Sequence, residues 1–242
     1  MVLISIGLLG FGVVDLIRWS PEPVGPRRAA AAVAIGIMAV VSLTALGGAT
    51  SIQVVAAAVG SAIVLGIWVA FDYPPLDDAP GLPLAWIAVV SLALFASSGS
   101  ADPVSGQLAR WYGQLGFGFA RSVPVDQFVL GVSAVLFITA SGNRVVRLLL
   151  DLAGVSLENE SEVPGGRVLG PLERLIVFAI VLAGDPAAAA IVITGKGLLR
   201  FPEIRRDSER PGPDVRTEYF LSGTFASLVI AAMLAVLVLA AA

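Results

Sequence analysis

Residues 29–46 and 52–71 each continue for about the width of a membrane without one charged side chain. A bilayer core about 30 Å thick is crossed by about 20 mostly apolar helical residues, because each backbone polar group must find its partner within the segment. The whole chain agrees, since 57% of its residues are hydrophobic and only 14% are charged. The sequence therefore predicts a protein that lies in a membrane.

We predict an all-α fold, a polytopic transmembrane helical bundle of about eight membrane segments. Turns rich in proline and glycine separate the first four of them. The fourth, sixth and seventh segments are short. The predicted segments are residues 2–17, 29–46, 52–71, 84–96, 125–140, 168–183, 187–201 and 219–239.

The chain is predicted to divide into three parts. Residues 1–154 hold the N-terminal membrane helices, the last of which continues as a helix with one charged edge and ends at Gly154. Residues 102–122 are rich in aromatics and arginine, which suits either a headgroup-level segment or an ordinary loop. An acidic Gly/Pro linker follows at 155–167, and residues 168–242 form a C-terminal three-helix membrane unit.

Basic residues set the predicted orientation, because loops rich in Lys and Arg stay in the cytoplasm. With eight crossings and the N-terminus outside, thirteen basic residues fall inside and only Arg110 and Arg121 fall outside. Both termini are then outside. The Ala/Arg/Gly/Pro-rich composition is typical of a high-GC bacterial genome, so the expected location is the plasma (inner) membrane. Asp15 and Arg18 are predicted to form an i, i+3 pair at the membrane interface.

Several kinds of chemistry are excluded by composition. The chain has no Cys and no His, which removes disulfides, zinc–thiolate sites and the side chain best suited to proton transfer near neutral pH. The net charge of −3, with no basic tail, argues against nucleic acid as a partner. We predict no catalytic residue, metal or cofactor.

One polar constellation stands out in the C-terminal unit. An ionisable group at the centre of a membrane helix costs about 2.5 to 3.5 kcal/mol, so it needs a partner. A hairpin folded about the turn at residues 184–186 would place Glu173 and Lys196 at equal depth, about 17 Å from the turn. The sequence therefore predicts an ion pair between them.

The arms of this hairpin are short, and two arrangements fit. Both arms cross the membrane, with Arg174, Lys196 and Arg200 extending their ends to the cytoplasmic headgroups, or the hairpin is re-entrant and enters only part-way. Glu218 and Tyr219 begin the final segment at the same level. A stripe of small residues at Gly223, Ser227 and Ala231 predicts close helix packing there. The candidate binding residues are Glu173, Arg174, Lys196, Arg200, Glu218 and Tyr219.

Three motifs in this region occur in the order Gly-x-x-x-Gly-x-x-Glu-Arg (166–174), Lys-x-x-x-Arg-Phe (196–201) and Glu-Tyr-x-Leu-x-Gly-Thr (218–224). In this order they resemble the C-terminal membrane part of an uncharacterised bacterial family. The resemblance covers about a quarter of the chain. It implies a shared polar cluster and no particular substrate, and residues 204–217 are longer and richer in Arg and Pro than the pattern.

The favoured function is a module that binds or transports a small molecule, an ion or a lipid headgroup through the cytoplasmic-side charged cluster. Its partners are the bilayer and anionic lipid headgroups. The alternative is a structural or assembly protein that holds a second copy of itself or another membrane protein. An intramembrane enzyme is third, because no Ser/Lys spacing in the chain is diagnostic of one.

Overall fold

The computed structural model describes residues 2–20, 24–73, 79–118, 122–154, 166–185, 187–188, 194 and 215–241. Within these ranges the chain forms nine α-helices, a single turn of 3₁₀ helix at Ser98–Ser100, and no strand. The all-α prediction is confirmed. The helices are α1 (Val2–Arg18), α2 (Pro26–Leu46), α3 (Ser51–Ala70), α4 (Gly81–Ser97), α5 (Gly106–Gly113), α6 (Val125–Thr139), α7 (Ser141–Leu152), α8 (Gly166–Leu182) and α9 (Val215–Leu239).

Three of these helices are long and apolar enough to cross a membrane: α2, α3 and the part of α9 from Leu221 to Leu239. The bent pair α6–α7 makes a fourth if it counts as one span. The expected eight crossings are therefore not confirmed. Helices α1, α4 and α8 have 17 residues each and rise only about 25 Å. The seventh predicted segment, 187–201, lies almost entirely outside the described residues.

The N-terminal helices pack around α1. Helix α1 lies against α2, α4 and α6, and its Phe11 and Val14 enter a core with Leu65 of α3. Gly12 permits the closest of these approaches, since a Cβ there would lie 2.9 Å from backbone atoms of α6. Helix α3 begins with a capping box, in which Thr50 and Gln53 exchange side-chain and backbone hydrogen bonds.

The fifth predicted segment bends where the sequence turns from apolar to charged. Helix α6 ends at Thr139 and α7 leaves it at 51°, with one face buried and the other charged. Helix α7 ends at Leu152, and the predicted stop residue Gly154 follows its C-cap with a φ of +72°, which suits a residue without a side chain.

The C-terminal helices α8 and α9 pack against each other and against α6. A Cβ on Gly170, near the start of α8, would lie 3.5 Å from Asn143 Oδ1 of α7, and a Cβ on Gly223, in the first half of α9, would lie 3.3 Å from the Leu150 side chain of α7. Gln127 at the start of α6 donates to the carbonyl of Val238 near the end of α9. The starts of α8 and α9 therefore both lie beside α7, and the two helices run parallel. The second arm of the predicted hairpin lies mostly outside the described residues, and its path stays a prediction.

The bundle has two distinct ends. We call the end at which α1, α3 and α6 finish the charged end, because Arg18, Asp72 and Arg144 meet there. The opposite end, at which α2 and α4 finish, is the far end. Helix α5 occupies part of the predicted segment 102–122, and its Tyr112 is buried and donates to the carbonyl of Val123.

Candidate functional site

Two of the six predicted site residues are described with their side chains, and they are neighbours on α8. Glu173 is half-buried and Arg174 is buried. Glu218 and Tyr219 lie in the first turns of α9, but their side chains are outside the described part of the chain. Lys196 and Arg200 lie outside it entirely. The pairing of Glu173 with Lys196 therefore stays a prediction.

Arg174 joins three helices through its guanidinium group. Its Nε donates to Ser227 Oγ of α9 at 2.7 Å, and Nη1 donates to the Ile138 carbonyl of α6 at 2.9 Å. Its Nη2 donates to Asn143 Oδ1 of α7. Ile138 lies in the last turn of α6, where carbonyls lack a helical partner, so Arg174 caps that helix.

Two glycines make room for this arginine. A Cβ on Gly142 would lie 2.5 Å from Arg174 Nη1, and a Cβ on Gly170 would lie 3.3 Å from Nη2. Gly170 precedes Arg174 by one helical turn and therefore shares its face of α8. A glycine at each position lets a planar side chain with several donors fit between helices.

The structure corrects one expectation about Arg174. The spanning arrangement has this side chain extending to the headgroups, but only 3% of it is exposed and it points into the helix cluster. Three hydrogen-bond acceptors at fixed positions hold the guanidinium group inside the cluster. The sequence carried a partial signal, since Asn143 and Gly142 interrupt an apolar run and a glycine precedes Arg174 by four residues.

A second charged cluster lies at the charged end of the bundle. The sequence predicted one of its pairs but not the whole cluster. Asp15 and Arg18 of α1 form the predicted i, i+3 pair at 3.5 Å, and Arg18 also pairs with Asp72 just after α3. Arg144 of α7 pairs with Asp72 and lies 3.6 Å from Asp15. We call these four residues, with two charges of each sign, the charge quartet.

Trp68 is buried beneath the charge quartet and contacts two of its members. Its indole Nε1 donates to both carboxylate oxygens of Asp15, at 3.1 and 3.2 Å, and the Arg144 guanidinium carbon lies 3.8 Å from its ring centre. Phe11 meets the same ring edge-on. The arginine over the indole face is a cation–π contact, which strengthens as water is removed.

The charge quartet fits a structural role better than a reactive one. Its charges balance, and each carboxylate is shared by two arginines, so no proton or ion is needed to complete it. Among the described residues, no group of acidic side chains is arranged to hold a metal ion. Each member lies at the end of an apolar run, and only the fold shows that these ends coincide.

A cavity of about 450 Å³ lies in the far half of the bundle, among α1, α2, α3 and α4. This volume is within the range of about 300 to 1,000 Å³ that is typical of small-molecule sites. Helix α3 contributes a face of mostly small residues, namely Gln53, Ala56, Ala57, Gly60, Ser61 and Val64.

The interior of the cavity is apolar in effect. Its two hydroxyl groups are satisfied within their own helices, because Thr44 donates to the Val40 carbonyl and Ser61 donates to the Ala58 carbonyl at 3.1 Å. The other polar lining residues, Gln53, Asp102 and Ser105, lie at the far end. The cavity thus has an apolar body and one polar rim.

Residues 101–105 cover the far end of the cavity as a roof. Ser105 donates through its backbone N–H to the Gly47 carbonyl at 2.8 Å, and Val104 donates to Asp126 Oδ1 at 2.9 Å. Gly48 and Gly106, both with positive φ, bring their backbones into contact, since a Cβ on Gly106 would lie 2.9 Å from the Gly48 Cα. The roof is therefore anchored to α2 and to α6.

The cavity opens sideways, between α3 and α4. These two helices are joined toward the charged end, where Trp86 Nε1 of α4 donates to the Val64 carbonyl of α3 at 3.3 Å. Nearer the far end, Ala56 and Gly60 line the cavity and are nevertheless exposed. The α3 surface beside this opening carries exposed Ile52, Val55 and Val59, which suit contact with lipid.

No protein-family model, curated protein or solved structure matches this chain. The resemblance of its C-terminal quarter to an uncharacterised bacterial family rests on the three motifs alone.

Proposed function

We propose that this protein is a membrane-embedded binding module for an apolar or amphipathic small molecule, held in the cavity among α1 to α4. The observation that carries the proposal is a cavity of ligand size with an apolar body and a polar rim. Small-molecule sites combine these two features, because apolar walls provide affinity and a few polar groups fix orientation.

Apolar helices support a membrane location, and three of them are long enough to span. We propose the bacterial plasma membrane, with the charged end of the bundle on the cytoplasmic side. Several described arginines lie at that end, among them Arg18, Arg28 and Arg144, in agreement with the excess of basic residues expected there.

The proposed binding site is the cavity and not the C-terminal charged cluster that the sequence favoured. Arg174 is fully occupied with hydrogen bonds between helices and is sealed from solvent, so it serves packing. Transport remains part of the proposal only in the sense that a ligand bound in the cavity can enter and leave through the side opening.

The test is photolabelling of the purified full chain in phosphatidylcholine nanodiscs. The probe is a long-chain alcohol with a diazirine in mid-chain, and labelled residues are located by mass spectrometry. We expect adducts on the cavity face of α3. Gly60→Phe should reduce them about fivefold or more, because a Cβ at Gly60 meets open space and a ring there would fill the cavity.

Gly66→Phe is the matched control. It lies on the same helix, also has no atom within 4 Å of its Cβ position, and does not line the cavity. Labelling should be unchanged in this variant. Equal labelling in both variants, or adducts spread over the exposed Ile52 and Val59 face, would contradict the binding proposal and favour a structural or assembly role.

A further inference from the structure

We propose that the ligand is a single-chain amphiphile with an ammonium head, which enters from the bilayer, places its chain in the cavity and places its head beside Asp102. This inference rests on the proposed function and names the chemical class of its ligand. It is carried by the apolar interior, the rim and the side opening together.

The side opening gives a route of entry from the bilayer. The roof is fixed at the far end by hydrogen bonds to the Gly47 carbonyl and to Asp126 Oδ1, and its Asp102 side chain is exposed beside the cavity. The gap between α3 and α4 is the open side, and exposed apolar side chains flank it. A molecule that reaches the cavity through this gap must first dissolve in the bilayer, which favours an amphiphile over a strongly polar solute.

The rim selects the head group. Asp102 is an exposed carboxylate that lines the far end of the cavity, and none of the described cations pairs with it. The oxygen of Gln53 is occupied by the Thr50 cap, and the Ser105 hydroxyl donates to the Gly47 carbonyl. Because Asp102 is the one charged residue among the described residues that line the cavity, the rim carries a negative charge, which attracts an ammonium group and repels a carboxylate or a phosphate.

The interior selects the tail. With the hydroxyls of Thr44 and Ser61 satisfied by their own helices, a polar tail would leave its hydrogen-bonding groups without partners. An unbranched hydrocarbon chain has no such groups. The ligand is thus polar at one end only, with that end at the roof.

The experiment uses the same nanodiscs and photoprobe, with three competitors that share a dodecyl chain: dodecylammonium, dodecanol and dodecanoate. Competitor concentrations are expressed as mole fraction in the bilayer, so that partitioning is matched. We expect dodecylammonium to compete about tenfold better than dodecanoate, with dodecanol between them, because an exposed charge pair is partly screened.

Asp102→Asn should bring the three competitors to within about threefold of one another while leaving dodecanol unchanged. Asp151→Asn, an exposed carboxylate at the charged end, is the matched control and should preserve the tenfold ratio. Equal competition in the wild type, or stronger competition by dodecanoate, would overturn the head-group assignment even if labelling still depends on Gly60. Loss of that dependence on Gly60 would instead reject the cavity as the site.

Discussion

Three arginines at the charged end donate to carbonyls in the last turns of three different helices. Arg28 donates to the Ile17 carbonyl of α1 at 2.8 and 3.0 Å, Arg144 to the Trp68 carbonyl of α3, and Arg174 to the Ile138 carbonyl of α6. These carbonyls lack helical partners and carry the negative end of the helix dipole. The excess of basic residues at this end therefore has a structural use as well as a topological one.

Arg174 should not be replaceable by lysine. Its three nitrogens reach three acceptors in different directions, which one ammonium group cannot do. We expect Arg174→Lys to lower the free energy of unfolding by about 2 kcal/mol, since buried acceptors are left unpaired. Thermal unfolding in detergent micelles measures this.

Arg110→Lys supplies the comparison, because Arg110 is exposed on α5. Its unfolding midpoint should match that of the wild type. A wild-type midpoint for Arg174→Lys would show that the three hydrogen bonds contribute little.

At the scale of helices, glycines decide which pairs approach closely. Gly12 lets α1 lie directly on the backbone of α6, and Gly36 leaves room on α2 for Val14 of α1. Not all glycines have this role. Gly60 and Gly66 of α3 face open space, so the same residue type serves packing on one helix and leaves a cavity beside another.

Gly12→Ala should separate α1 from α6. The added methyl would meet the backbone of Leu136 and Phe137 at 2.9 Å, and backbone atoms cannot rotate away. We expect a loss of about 2 kcal/mol in the free energy of unfolding, as is typical of overpacking. Detergent-denaturation curves would record it.

Gly66→Ala is the counterpart on an open helix face. There alanine should be neutral or slightly stabilising, because it favours helix by up to about 1 kcal/mol over glycine. Equal effects of the two substitutions would refute the close α1–α6 contact.

At the scale of the whole molecule, the parallel course of α8 and α9 fixes which ends of the bundle share a side. The end of α9 lies beside the start of α6, at the far end. The end of α7 lies at the opposite level. This arrangement follows from hydrogen bonds between helices and does not depend on any count of membrane crossings.

Cysteine labelling can test this arrangement directly, because the chain has no native cysteine. In vesicles of one orientation, a membrane-impermeant maleimide should label Gly99→Cys and Ala240→Cys from the same side. Ala153→Cys should react only from the other side, which we expect to be the cytoplasmic one. Labelling of Ala240→Cys and Ala153→Cys from one side would contradict the placement of the end of α9 beside the start of α6.

The sequence predicted well those features that depend on local composition. The apolar runs predicted the helices, and Gly154 predicted the end of α7. The i, i+3 spacing of Asp15 and Arg18 predicted their pair. Each of these depends on residues within a few turns of one another, where helix geometry alone sets the distances.

The charge quartet, the capping by Arg174 and the cavity depended on the tertiary structure. Asp15, Asp72 and Arg144 are far apart in the chain, and only the packing of α1, α3 and α7 makes one charge balance another. The small residues of α3 would suit a helix interface equally well. The separation of α3 and α4 decides whether this face meets a neighbouring helix or empty space. That separation depends on contacts along the whole bundle.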